Sequence, residues 1–247
     1  MRYVDLQASF ELEINQIDAN LTKPKSIDIE YWLNKGLEKF YKTRYTEFEQ
    51  NQKRLDDLRT LVRTKYFDLD ENSWLLVKED NSHLMLDIKS DFLLEEAPAD
   101  KILVTRTGLF FIKLPHDYMF LLGDRSGIVP TKQEYLNCVK YDEDGDIVPY
   151  YDDTIEATVE TIDEQYRNSL SEHKIKHNRA RPLRIIQDDQ LILITDGNYK
   201  VQEYQLTYLR KPNEIDIHKY PYDEYTDMPE HTHGEIVKLA VQMYLEN

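Results

Sequence analysis

Hydrophobic period changes twice along this 247-residue chain, and those changes limit the folds open to it. Leu6, Phe10, Ile14, Ile17 and Leu21 step by four, four, three and four, the spacing of one helix face despite the local alternation in FELEI. Pro24 ends that helix, and Ser26, with Asp28 and Glu30 in the turn after it, is placed to cap a second. The second helix carries Ile29, Trp32, Leu33, Leu37, Phe40 and Tyr41 on one face. EQNQKR (49–54) has no apolar residue, and then Leu55, Leu58, Leu61 and Val62 resume the period. Two readings stand there: a break between helices, or one long helix exposed in its middle.

From Tyr66 the pattern turns to short runs of β-branched and aromatic residues. WLLVK, HLMLDI, KILVTRT and GLFFIKL read as strands. In LPHDYMFLLGD, Pro115 is placed to open a short helical turn that buries Tyr118, Met119, Leu121 and Leu122. DEDGD divides two strand-like halves, and Asp144-Gly145 is a two-residue hairpin signal. A calcium loop fails on spacing: it needs glycine sixth and glutamate twelfth, whereas Gly145 stands fourth from Asp142 and Asp153 twelfth. Thr161 to Ser171 reads as a short helix. LRIIQ, QLILIT and YKVQEYQLTYLR read as an antiparallel meander turned at Asp188-Asp189 and Asp196-Gly197-Asn198.

The period returns to helical in the closing segment. Asp227 lies three residues before Glu230, an aspartate form of the capping box, and Pro229 falls in the first turn, where its missing N–H costs nothing. Ile236, Val237, Leu239, Ala240, Met243 and Tyr244 then share a face. Helices before and after a run of strands give an α+β class rather than βαβ alternation. The expected parts are N-terminal helices over 1–64, an antiparallel β-rich region with short helices over 65–210, and a linker and helix over 211–247. That last helix packs back on the first ones, making one integrated domain with 1–64.

A chain of this length buries a core without disulfide or metal staples. Its 31 Lys and Arg face 47 Asp and Glu, a formal charge of −16 spread along the sequence. This argues against a general nucleic-acid surface and against docking on anionic membranes. The acid serves solubility, or lines a passage that DNA traverses without being gripped; both readings stand. The single Cys138 excludes an internal disulfide and suits a reducing compartment. MRYVDLQASFELEI has acid where a leader needs an apolar core, and GLFFIKLPHDYMFLLG, broken by Lys113, Pro115, His116 and Asp117, falls short of a membrane span. The expectation is a soluble chain not exported by a leader.

No Gly-rich nucleotide loop and no nucleophile elbow is present, and seven glycines leave little room for a disguised phosphate loop. His231 and His233 stand two apart in a helix, where side chains do not converge, and read as first-turn surface residues. No catalytic residue, cofactor or metal site is expected. HKIKHNRARP is the one basic cluster, with His173, Lys174, Lys176, His177, Arg179 and Arg181. Of these, Lys174, Lys176, Arg179 and Arg181 are candidates to contact phosphate or an acidic partner, against a reading as solvated loop charges. No aromatic residue interleaves with them, so base stacking is not suggested. Eighteen tyrosines are many, and tyrosine favours interfaces. In the linker TYLRKPNEIDIHKYPYDEYTD, Tyr208, Tyr220, Tyr222 and Tyr225 are the candidate interface residues.

Four stretches in order resemble the ring or head-tail connector proteins of short-tailed phages, most closely those of crAss-like phages. They are SIDIEYWLNKGLEKFYKTRY, FEQNQKRLDDLRTLV, LPHDYMFLL, and YQLTYLRKP leading to MPEHTHGEIVKLAVQMYLE. The resemblance implies a structural virion protein, a homo-oligomeric ring, often of twelve copies, between the portal protein and adjacent neck or tail rings. Genome DNA passes through its lumen without specific binding, no membrane is involved, and the ring is assembled in the host cytoplasm. It implies no catalytic residue. Two alternatives of other classes stand beside it. One is an acidic enzyme or metal-binding protein acting as monomer or dimer, and the other a regulatory module holding nucleic acid through residues 173–181.

Overall fold

The computed structural model describes residues 1–17, 24–46, 56–68, 73–79, 82–87, 102–105, 108–131, 133–136, 139–158, 160–168, 170–176 and 179–246. The expectations for Leu21, the stretch 49–54, Cys138 and His177 lie outside them. The helices are α1 (Tyr3–Ile17), α2 (Ser26–Thr46), α3 (Gln133–Leu136), α4 (Ile162–Arg167) and α5 (Glu230–Leu245). Among the described residues no helix is long and apolar enough to cross a membrane. The class is α+β, and the chain divides into two compact units, Met1–Arg63 with Leu209–Asn247, and Thr64–Tyr208.

In the first unit the apolar faces of three helices meet. Leu6, Phe10 and Ile14 come from α1, Ile29, Leu33, Leu37, Phe40 and Tyr41 from α2, and Ile236, Val237, Ala240 and Val241 from α5, all buried. Each large side chain so buried contributes about 1.5–3 kcal/mol. The closing helix packs on both earlier ones: Tyr244 meets Phe10 and Trp32 edge to face, with centroids 6.0 and 6.1 Å apart. Gly36 of α2 lies so close to α5 that a Cβ there would sit 2.8 Å from Ala240 Cβ, Ala240 N and the Ile236 carbonyl.

Both expected helix caps are replaced. Ser26 is itself the first helical residue and donates from Oγ to Gln7 Oε1, while the Lys25 carbonyl accepts from the N–H of Asp28 and Ile29. Asp227 does not cap α5. It forms a two-pronged ion pair with Arg210, at 2.7 and 3.1 Å, and accepts the Asn213 N–H, leaving extended Pro229 at the cap position. The Arg210 fork and the Asn213 N–H together occupy both oxygens of the Asp227 carboxylate. Leu58 and Leu61 are buried as the spacing suggested, but Arg59–Leu61 is a 3₁₀ turn and Val62 opens a strand.

In the second unit the larger sheet has the order β10 (Ile155–Glu156), β11 (Leu183–Gln187), β12 (Gln190–Ile194), β5 (Leu109–Lys113), β4 (Ile102–Thr105), β2 (Ser73–Glu79), β3 (Ser82–Asp87). A four-stranded sheet has the order β1 (Val62–Asp68), β13 (Tyr199–Arg210), β6 (Tyr118–Pro130), β9 (Tyr150–Asp152). The core of this unit draws on both sheets and includes Phe67, Phe110, Ile112, Leu191, Leu193, Val201, Tyr204 and Leu206.

Three expectations change here. The larger sheet is mixed rather than antiparallel, because β2 pairs parallel with β4 and β10 with β11. The meander stops after one hairpin: β11 pairs with β12, β12 pairs onward with β5, and β13 joins the other sheet. LPHDYMFLL forms a turn at His116–Asp117 and then enters β6, so Tyr118, Met119, Leu121 and Leu122 lie half-buried on a strand. Five consecutive apolar or aromatic residues, YMFLL, do not distinguish a helical from a strand period. DEDGD does form a hairpin tip, between β7 (Lys140–Tyr141) and β8 (Ile147–Val148). Its loop is longer than the two-residue turn, because Asp142 Oδ1 accepts the N–H of both Asp144 and Asp146, and Gly145 takes φ 88°.

Candidate functional site

The linker before α5 is pinned along its length. Asn34 on α2 exchanges two hydrogen bonds with the backbone of Ile215, at 2.8 and 2.9 Å, and Glu30 accepts the Ile217 N–H. At the start of α1, Tyr3 N donates to the Asp223 carbonyl and Val4 N to that of Pro221, while Tyr225 N donates to the Met1 carbonyl. Ile215 and Ile217 are buried, so the linker is part of the packed unit.

This pinning separates the four candidate tyrosines. Tyr225 is 3% exposed, its ring edge-on to Tyr3 at 5.7 Å and 5.8 Å from His233, and its hydroxyl donates to the Asn213 carbonyl. Burial, then the charge of Asp227, pushes its pKa up. Tyr208 is 5% exposed, donates to Asp117 at 3.0 Å and packs beside Tyr118. Both are internal packing residues of their own units, which corrects their reading as contact residues. Tyr220 and Tyr222, 42% and 75% exposed, stay at the surface. Tyrosine clustering does not encode which ring turns inward; the backbone hydrogen bond from Tyr225 to Met1 does that.

The histidine pair also separates. His231 is exposed and pairs with Asp57 at 2.8 Å, whereas His233 is buried with Nε2 at 3.1 Å from the Met228 carbonyl. His233 is thus not the surface residue its place in the first turn suggested, because that turn packs against Tyr225. Among the described residues no group of three or more His, Cys, Asp or Glu is placed to hold a metal ion. Burial holds His233 below its ordinary pKa of 6.5, and burial then the charge of Lys174 do the same for His173 in the other unit. A histidine with a depressed folded pKa contributes stability that is complete above the unfolded value and declines as pH falls from there toward the folded value. The melting temperature of the helical unit should therefore drop less for His233→Gln than for the unchanged chain between about pH 7 and about pH 5. Equal drops in a pH series of thermal melts would contradict this.

The basic cluster becomes a groove. Lys174, Lys176, Arg179 and Arg181 line about 510 Å³ together with Tyr150, Asp152, Glu172 and Ala180. Arg181 belongs to the wall: it pairs with Glu172 at 2.9 Å and with Asp152 at 3.9 Å, and donates to the Asp153 carbonyl. The Arg179 guanidinium lies 5.4 Å from the Tyr150 ring centre. The aromatic partner missing from the local sequence thus arrives from β9. His173 takes no part in the groove; it is fully buried, with its carbonyl accepting the Tyr199 hydroxyl at 2.8 Å.

One charged network in the second unit escaped the sequence reading. Asp124 on β6 pairs with Arg184 on β11 at 2.9 Å and also accepts the hydroxyls of Thr154 and Tyr204. All four residues are buried. Tyr204 is pushed far above its ordinary pKa by burial and by the charge of Asp124. Arg184 inside the strand run LRIIQ was an available signal, since a charge at a core position requires a partner; Asp124 gave none, because it ends LPHDYMFLLGD, which reads as a helical turn. No family model matches this sequence, and no curated protein matches it.

Proposed function

We propose that this chain is a structural subunit of a closed homo-oligomeric ring in the neck or tail of a short-tailed phage. Its partners are further copies of itself, the portal protein and adjacent ring proteins, and genome DNA passes through the lumen. The observation that carries the oligomeric part is the display of Tyr220 and Tyr222 on a linker whose backbone is held by hydrogen bonds to α1 and α2. Exposed aromatic rings on a preorganised backbone lose little entropy on association and supply interface area. The phage setting rests on the four ordered stretches that resemble connector proteins. The charge of −16 fits a passage that repels phosphate.

Mass photometry and negative-stain microscopy of the purified chain test the reading. The chain should give annular particles, and Tyr220→Ser with Tyr222→Ser should shift them toward single subunits without lowering the melting temperature. A chain that stays monomeric at every concentration and in virions removes the ring. Rings that persist in the double variant move the contact elsewhere.

A further inference from the structure

We propose that the groove at Lys174, Lys176, Arg179 and Tyr150 is a docking site for an acidic polypeptide segment of a partner protein. The proposal stands apart from the ring reading and does not need it. Lys174, Lys176 and Arg179 form no ion pair among the described residues, although the chain carries 47 acids against 31 bases. The lining carries four cations, Lys174, Lys176, Arg179 and Arg181, against two carboxylates, Asp152 and Glu172, and an anionic occupant offsets that excess of positive charge. The Tyr150 ring supports the Arg179 guanidinium, and a supported guanidinium loses less freedom when its fork of N–H donors engages a carboxylate.

The class of anion follows from what else lines the groove. Asp152 and Glu172 stand among the cations, both beside Arg181, so the lining offers acceptors as well as donors. A polypeptide matches both, bringing carboxylates for the lysines and Arg179 and backbone N–H groups for Glu172, whose Oε2 accepts from Arg181; the Asp152 carboxylate already accepts the Asp153 N–H and the Tyr150 hydroxyl. A phosphodiester strand brings acceptors only along its backbone, and its continuous line of charge must pass those two carboxylates. It also finds little stacking surface, because Arg179 sits over the Tyr150 ring. The volume of about 510 Å³ falls in the range of ligand pockets, which suits a few residues of chain.

Fluorescence anisotropy with a labelled glutamate-rich peptide and the full chain tests the site, with a thymidine oligonucleotide of equal charge as comparison. The peptide should bind, should bind more weakly at high salt, and should lose about tenfold or more in affinity with Lys174→Glu and Arg179→Glu together. Lys174→Gln with Arg179→Gln should give a smaller loss in the same direction, and both double variants should keep the melting temperature of the unchanged chain. Absence of peptide binding, equal binding by the double variants, or tighter binding of the oligonucleotide than of the peptide would each overturn the proposal, the last in favour of a nucleic-acid site.

Discussion

Asp124→Ala should destabilise the β-rich unit by about 3–5 kcal/mol, the cost of stripping a partner from a buried charge. Arg184 would keep Glu156 at 3.6 Å, but that carboxylate is largely exposed and replaces little of a 2.9 Å contact inside the unit. The hydroxyls of Thr154 and Tyr204 would lose their acceptor at the same time. A loss of this size is a large share of the roughly 5–15 kcal/mol that holds a typical domain folded. Asp124→Asn keeps the shape and one acceptor and should cost less. Asp124→Leu combined with Arg184→Met should recover part of the loss, because it removes the unpaired charge of Arg184, while the buried Thr154 and Tyr204 hydroxyls still lack their acceptor. Urea denaturation followed by tyrosine fluorescence measures all three. A cost below about 1 kcal/mol for Asp124→Ala would show that water or Glu156 compensates.

The second large effect is expected at Gly36. Leucine there should destabilise the helical unit by about 3 kcal/mol, since two of the three atoms its Cβ would strike, Ala240 N and the Ile236 carbonyl, are backbone and cannot rotate away. Alanine sets two effects against each other, a helix-propensity gain of about 1 kcal/mol and overpacking of about 1–3 kcal/mol, so its net cost should be small but positive. Adding Ala240→Gly should recover only part of it, because it removes the Cβ contact and leaves the two backbone ones. Helical circular dichroism during thermal melting reads these differences. A Gly36→Ala chain that melts above the unchanged one would mean that α2 and α5 part without loss.

The helical faces were legible because burial against one side writes itself into a period of three and four. Leu6, Phe10, Ile14, Ile29, Leu33, Leu37, Phe40, Ile236, Val237 and Ala240 are buried where that period put them. Many strands were legible through β-branched and aromatic runs, and the DEDGD tip through its turn residues, but β6 read as a helical turn and the start of β1 as helical period. Strand neighbours were not. QLILIT reads the same whether its next partner is YKVQEYQLTYLR or GLFFIKL, and the structure chooses GLFFIKL. The helix caps misled because Ser26 and Asp227 carry cap chemistry while stronger or better placed partners hold them elsewhere.

Of the candidate surfaces, composition located the basic cluster, and folding sorted its members. His173 turned inward, Arg181 into the wall, and Lys174, Lys176 and Arg179 to the groove. The four tyrosines were equal as letters, and contacts far apart in sequence, such as Tyr3 with Tyr225 and Asp117 with Tyr208, divided them into two buried and two exposed. By itself, then, the sequence determined what depends on near neighbours along the chain: the periods, the α+β class, the acidic balance and the position of the basic cluster. The tertiary structure alone decided strand order, the pairing of Asp124 with Arg184, the Gly36 crossing and the direction of each tyrosine, because each depends on residues brought together from distant parts of the chain.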